Sequence, residues 1–260
     1  MHLINTTTLK TVEFLEGLQE PYAVLSHRWG SEEISFQDLS RRLQKIENCC
    51  RQALHDGFQW AWVDTCWIDK TSSAELSEAI NSMFAWYKRS AVCYIFLNDV
   101  SETTVNFTRT ESSFHRSQWF TRGWTLQELL APRHARFFNS RWEILGEMTE
   151  QSDLCEIVSS ITRIPMGYLN GSLPLSQACV AMRMSWASRR ITTRVEDIAY
   201  CLLGIFDVNM PLLYGEGSKA FLRLQECIIQ KTHDSTILVW DCSHDACSVS
   251  VALDPVTRYF

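Results

Sequence analysis

Nowhere in these 260 residues do eighteen apolar side chains run together, so no transmembrane helix is expected. The amino terminus shows no basic region followed by an apolar run, so no secretory signal is read there. Basic residues never form a block longer than two, as at Arg41–Arg42 and Arg189–Arg190, and the net charge is −6. That argues against a nucleic-acid binder, which needs a concentrated positive footprint. The two arginine pairs read as solvated helix-surface residues or local salt-bridge partners. There are ten cysteines but no CxxC, and the single CxxxxC, Cys242 to Cys247, falls in a weakly patterned tail. A zinc site is therefore not expected. A chain of this length needs no disulfide framework, which points to reduced, mostly buried cysteines in a cytoplasmic protein. G-x-G-x-x-G, the Walker A pattern and the G-x-S-x-G elbow are absent, which weakens dinucleotide-fold, nucleotide-triphosphatase and serine-hydrolase readings. No internal repeat or low-complexity stretch is evident.

Present instead are 46% apolar residues, 21% charged residues and ten tryptophans. Tryptophan buries a large apolar area while its indole N–H seeks a partner, so it suits pocket walls as well as cores. Trp29, Trp60, Trp62, Trp67, Trp119 and Trp124 lie in or beside the segments that carry polar clusters, while Trp86 sits in a helical pattern.

The stretch Tyr22–Gly30, YAVLSHRWG, is an apolar run that ends abruptly in polar residues and a glycine. It reads as a buried strand delivering side chains to a loop. A helical pattern follows from Phe36 to Asp56, closed by Gly57. Phe58–Asp64 alternates as a second strand, parallel to the first because a crossover helix separates them. Thr65–Ser73 is a loop, and Leu76, Ile80, Met83, Phe84 and Tyr87 mark the next helix, to Arg89. Ala91–Leu97 is a continuous apolar run suited to a central parallel strand, ending in Asn98–Asp99. Residues 101–115 read as a loop and Phe120–Leu130 as a helix. Ala135–Phe138 is a fourth strand, and Trp142–Leu145 a fifth or a hairpin return. Met1–Asn5 reads as a short edge strand.

This alternation predicts an α/β fold with a mostly parallel sheet and flanking helices over residues 1–148. Beyond it Leu154–Ile161, Leu175–Ser188, Ile198–Phe206 and Lys219–Ile229 favour helix, giving a helical extension over 149–232 packed on that core. Residues 233–260 are a poorly patterned tail, read as the beginning of something truncated, with one strand at Thr236–Trp240.

Three strand ends should converge on one crevice: Ser26, His27 and Trp29; Asp64, Asp69 and Lys70; and Asp99. Trp124 and Glu128 are four apart on one helix and share a face, so if one lines a pocket the other does too. A carboxylate held against indole rings tends toward a raised pKa, or stays ionised to stabilise a developing cation. Each residue also has a plainer role. Glu128 serves as a solvated helix glutamate, His27 as a hydrogen-bonded structural histidine, and Asp64 and Asp69 as caps of the adjoining helix. Cys66 beside His27 offers a nucleophile pair, and Asp64, Asp69 and Asp99 together offer a magnesium-dependent hydrolase.

YAVLSHRWG, WVDTCWIDK, AELSEAINSMFAWY and RGWTLQELLAPR, in this order, resemble the fungal heterokaryon-incompatibility (HET) domain. The later stretch MSWASRRITTRVEDIAYCLLGIFDVNMPLLYGEGSKAFLRLQECII continues the resemblance, which spans nearly all of residues 1–232. It implies a cytoplasmic effector of non-self recognition that triggers cell death, acting with a receptor or regulator. The family is in turn similar to TIR domains, which have a flavodoxin-like α/β fold and some of which cleave NAD. The segment WTLQEL, Trp124–Leu129, resembles the TIR catalytic motif with Thr125 in place of a cysteine. The resemblance thus makes Glu128 the catalytic carboxylate and YAVLSHRWG the first strand and loop. Ser26, His27, Arg28, Trp29, Asp64, Asp69, Arg122 and Trp124 become the pocket that binds NAD. NAD is then a substrate, no cofactor or metal is required, and activity needs self-association. The alternative is a non-enzymatic signalling or oligomerisation module of the same pathway.

Overall fold

Two short strands, β1 (His2–Asn5) and β2 (Thr11–Glu13), precede the YAVLSH strand β3 (Tyr22–His27) in a computed structural model of the chain. The structure describes residues 1–14, 20–28, 36–64, 73–103, 112–150 and 152–238. Next come α1 (Phe36–His55), β4 (Trp60–Val63), α2 (Ser73–Arg89) and β5 (Val92–Phe96). A 3-10 turn at Gln118–Thr121 leads into the short α3 (Thr125–Leu130), then β6 (Ala135–Phe138) and β7 (Ile144–Glu147). The seven strands form one sheet in the order β2-β1-β4-β3-β5-β6-β7. The central β4-β3-β5-β6 pairings are parallel, and antiparallel pairs extend both edges. In chain order the parallel strands lie 2-1-3-4, the flavodoxin-like doubly wound arrangement.

Period-two alternation explains the layers. Tyr22 and Val24 of β3, Trp62 of β4 and Cys93 and Ile95 of β5 face one core, built with Ile80, Met83 and Tyr87 of α2. Ala23 and Leu25, Ala61 and Val63, and Val92, Tyr94 and Phe96 face the other, closed by Cys49, Cys50 and Ala53 of α1. Helix α1 stops where expected. Gly57 takes φ +85°, and the Phe58 N–H reaches back to the Ala53 carbonyl at 2.8 Å, a Schellman-type closure. Glu75 in the first turn of α2 and Lys88 and Arg89 in its last turn suit the helix dipole.

After the sheet come α4 (Asp153–Thr162), α5 (Met166–Leu169), α6 (Val180–Ala187), α7 (Asp197–Tyr200), α8 (Leu203–Phe206) and α9 (Lys219–Lys231). Their buried side chains, among them Val158, Met184, Leu203 and Leu224, join the α2 side of the sheet in one continuous core. No described helix is long and apolar enough to cross a membrane.

Several expected elements differ in detail. Met1–Asn5 is not an edge, because the unexpected β2 pairs outside it. The helix expected over Phe120–Leu130 begins only at Thr125, since a 3-10 turn precedes it. Leu175–Ser188 is split into a 3-10 turn at Leu175–Gln177 and α6, because Ala178 and Cys179 between them take extended backbone. Ile198–Phe206 is likewise two single turns. Ser235–Leu238, where a strand was expected, is a 3-10 turn, and 239–260 lie outside the described residues. Cys49, Cys50, Cys93, Cys155 and Cys201 are buried, as the sequence suggests.

Candidate functional site

Strand β3 is the point where the sheet reverses its winding: β4 lies on one side of it and β5 on the other. Ligand crevices in doubly wound sheets open at the carboxyl end of such a strand. Ser26 and His27 are the last residues of β3, both buried. Alternation sends Ser26 to the face of Tyr22 and Val24, toward α3, and His27 to the opposite face, with Ala23 and Leu25.

On the α3 side a chain of hydrogen bonds crosses the core. The Trp119 indole N–H donates to Ser26 Oγ at 2.9 Å, and Ser26 Oγ donates to Glu128 Oε2 at 2.5 Å. Trp119 is held by the 3-10 turn, whose cap Ser117 is anchored by Asp99 at 2.7 Å. The Asp99 carboxylate also accepts the Gln118 N–H at 2.8 Å. Every residue of α3 is buried, and Glu128 is only 3% exposed. Thr125, the first residue of α3, donates to the Trp119 carbonyl at 2.6 Å and to that of Arg122 at 2.9 Å. The turn that carries the glutamate is thereby tied to the turn that carries the indole.

Burial pushes the Glu128 carboxyl up to about 8, and the neighbouring Asp64 charge adds to the rise; the Ser26 bond, Arg122 and Arg190 oppose it. Around it, burial first and the Glu128 charge second hold the Tyr87 hydroxyl and the Cys93 thiol well above their usual ranges. Tyr87 donates to the Leu25 carbonyl at 3.3 Å. Burial lowers Arg190 to about 10.

The structure thus gathers Ser26, Asp64, Arg122 and Glu128 of the expected set around one buried carboxylate. Asp64, just past β4, is 3.8 Å from His27 Nδ1. Arg28 is half-buried at the end of β3. Trp124 is half-buried, with Asp197 of α7 among its neighbours. Trp29, Asp69, Lys70 and Cys66 lie outside the described residues. Among the described residues no three His, Cys, Asp or Glu side chains gather as metal ligands. A cavity of about 380 Å³ lined by Asp56, His134, Arg136 and Glu147 sits at the amino ends of β5 and β6, the opposite end of the sheet from Ser26.

Sequence reasoning missed Trp119 as an anchor and Tyr87 as a neighbour, and it misread Arg190. That arginine is half-buried rather than solvated, and its Nη1 donates to the Arg122 carbonyl at 2.9 Å and to Thr125 Oγ1 at 2.8 Å. A tryptophan-rich composition hinted at Trp119. Nothing local in the sequence marks Arg190, whose partners are more than sixty residues away.

The family model described as heterokaryon incompatibility protein (HET) matches residues 22–113, from β3 past β5. Over 231 residues, 84% of this chain, the sequence is 46% identical to the vegetative incompatibility protein HET-E-1 of Podospora anserina. The chain belongs to the HET family. The similarity covers 17% of HET-E-1, so this HET chain spans less than a fifth of that relative's length. No solved structure matches it. A match over that share of the chain takes in Glu128 and Arg190 from whichever end it starts, although the family model itself stops short of both.

Proposed function

We propose that this HET domain is a cytoplasmic effector of fungal heterokaryon incompatibility that triggers cell death by hydrolysing NAD to nicotinamide and ADP-ribose. Glu128 is its reacting carboxylate, and its activity depends on self-association under a receptor or regulator. One observation carries the chemical part: a carboxylate withdrawn from water stands at the switch point of the sheet, bonded to Ser26 at 2.5 Å. The 46% identity with a vegetative incompatibility protein supports the biological part.

In the reaction the bond between the ribose anomeric carbon and the nicotinamide nitrogen breaks. The electron pair goes to the ring nitrogen, which leaves neutral, so no leaving-group acid is needed. Oxocarbenium character develops on the ribose, and water adds there with loss of a proton. A single ionised carboxylate in a low-dielectric setting stabilises that cation, unlike the two-carboxylate arrangement of most glycosidases. At rest, burial favours protonated Glu128. A positively charged nicotinamide ring beside it would favour the ionised form, so substrate binding itself primes the carboxylate. His27, Arg28, Trp29, Asp69 and Trp124 are assigned to the dinucleotide's binding.

A second reading rests on the same burial. At 3% exposure Glu128 also serves as an internal tie between α3 and β3, as it would in a non-enzymatic signalling module. Nicotinamide release from NAD by purified protein, dilute and artificially clustered, separates the two. Clustered wild type should release nicotinamide, and Glu128→Ala should reduce that release by about a hundredfold or more. No release in any assembled state favours the signalling module; equal release by the variant assigns the chemistry to another residue.

A further inference from the structure

Arg190 lies just past α6, in the helical part of the chain, yet its polar contacts are with the segment that carries Glu128. The backbone brings it there. The Ile191 N–H donates to the Thr121 carbonyl at 2.7 Å, and the Gly123 N–H donates to the Ile191 carbonyl at 2.9 Å, a parallel bridge. Gly123 permits this approach: a Cβ there would stand 2.4 Å from Thr192 Cγ2 and 3.1 Å from Cys201 Sγ. With the backbone so docked, Nη1 of Arg190 reaches the Arg122 carbonyl and the Thr125 hydroxyl together.

Both acceptors are neutral, and among the described residues no ion pair joins Arg190 to a carboxylate. A partly desolvated guanidinium held by neutral groups keeps its charge available to act through space. The buried Glu128, one helical turn beyond Thr125, is a group that feels it. Arg122 acts in the same sense and Asp64 in the opposite one; Tyr87 from α2 and Cys93 from β5 are further ionisable neighbours.

We propose that Arg190 is a positioning residue for Glu128: it pins the first turn of α3 through Arg122 and Thr125 and places a fixed positive charge near the carboxylate. The helical segment after the sheet is then part of the site, because it supplies this cation. The inference takes from the proposed function only that Glu128 is the reacting group.

The test needs no NAD. In the 260-residue chain labelled with 13C at the glutamate carboxyls, Glu128 is assigned by its loss in Glu128→Gln, and its titration is followed by NMR. Arg190→Gln should raise the Glu128 midpoint by about one pH unit, whereas Arg190→Lys, which keeps the charge, should hold it within about half a unit. An unmoved midpoint in folded Arg190→Gln, or an equal rise in both variants, overturns the proposal. Should Arg190→Gln fail to fold, amide exchange in Arg190→Lys decides. Lysine cannot reproduce the guanidinium's hold on two acceptors, so α3 amides should exchange about tenfold faster while those of β5 stay unchanged. Unaltered α3 exchange overturns it. A wild type inert toward NAD would remove the proposed function and leave these titrations standing.

Discussion

Replacing Glu128 by glutamine separates the charge of this side chain from its shape. Glutamine keeps an oxygen to accept the Ser26 hydroxyl, so the tie between β3 and α3 survives while the titration disappears. The wild-type carboxyl moves from its ordinary value of 4.5 to about 8 on folding. Between those values the native chain holds a proton that the unfolded chain has released. Stability is therefore fully present below the unfolded value and falls as pH rises through the folded one, at up to about 1.4 kcal/mol per pH unit. Across the window the loss is roughly 3–5 kcal/mol. Tyr87 and Cys93 are pushed up and stay neutral there, so neither contributes to the difference between wild type and Glu128→Gln, which reports the carboxyl itself.

Urea denaturation of both proteins from pH 5 to 8.5, at fixed ionic strength and with the slopes compared, measures this. Glu128→Gln should match wild type near pH 5 and exceed it by roughly 3 kcal/mol or more near pH 8. Parallel profiles for the two proteins, or an advantage of the variant that grows toward acid, would refute the claim that the folded chain protonates Glu128 by burying it.

Two further substitutions probe the same packing. Ser26→Ala strips Trp119 of its indole acceptor and Glu128 of its donor, two buried groups at once. It should lower stability by about 2–4 kcal/mol in urea denaturation and raise the Glu128 midpoint; unchanged values of both would refute the chain of bonds. Gly204→Ala would set a Cβ 2.0 Å from Phe84 Cβ, where α8 crosses α2. The loss should be about 3 kcal/mol or more, and Phe84→Gly in the same chain, which removes that Cβ, should recover part of it in a double-mutant cycle; strictly additive losses would refute the contact.

The fold was legible where hydrophobic pattern and punctuation agree. Tyr22–Leu25 and Ala91–Leu97 are apolar runs closed by polar residues, and both are central parallel strands. Gly57 closes α1 by the backbone conformation that glycine tolerates best. Legibility failed where segments are too short for a period to show. Strand β2 has three residues and α7 and α8 one turn each, and their places are set by tertiary packing rather than by local preference. Phe120 and Thr121 fall in the helix expected over Phe120–Leu130, yet the capping of Ser117 and Asp99 tightens them into a 3-10 turn.

At the site, sequence spacing and spatial arrangement diverge in an instructive way. The four-residue interval between Trp124 and Glu128 suggested a shared pocket wall, and the indole tied to Glu128 through Ser26 is that of Trp119. Adjacent Ser26 and His27 looked like one cluster, yet a strand turns neighbours to opposite faces, so the serine alone is bonded to the carboxylate. Of the two cations that temper the buried charge, Arg122 and Arg190, the second is one that no local pattern ties to Glu128. Removing a carboxylate from water makes it a strong partner for a developing cation and, by the same desolvation, leaves it protonated at rest. A site that needs the first property must offset the second. Here Ser26 offers a hydrogen bond and Arg122 and Arg190 offer charge, while Asp64 pulls the other way. The balance among these four therefore decides whether Glu128 waits as an acid or as an anion.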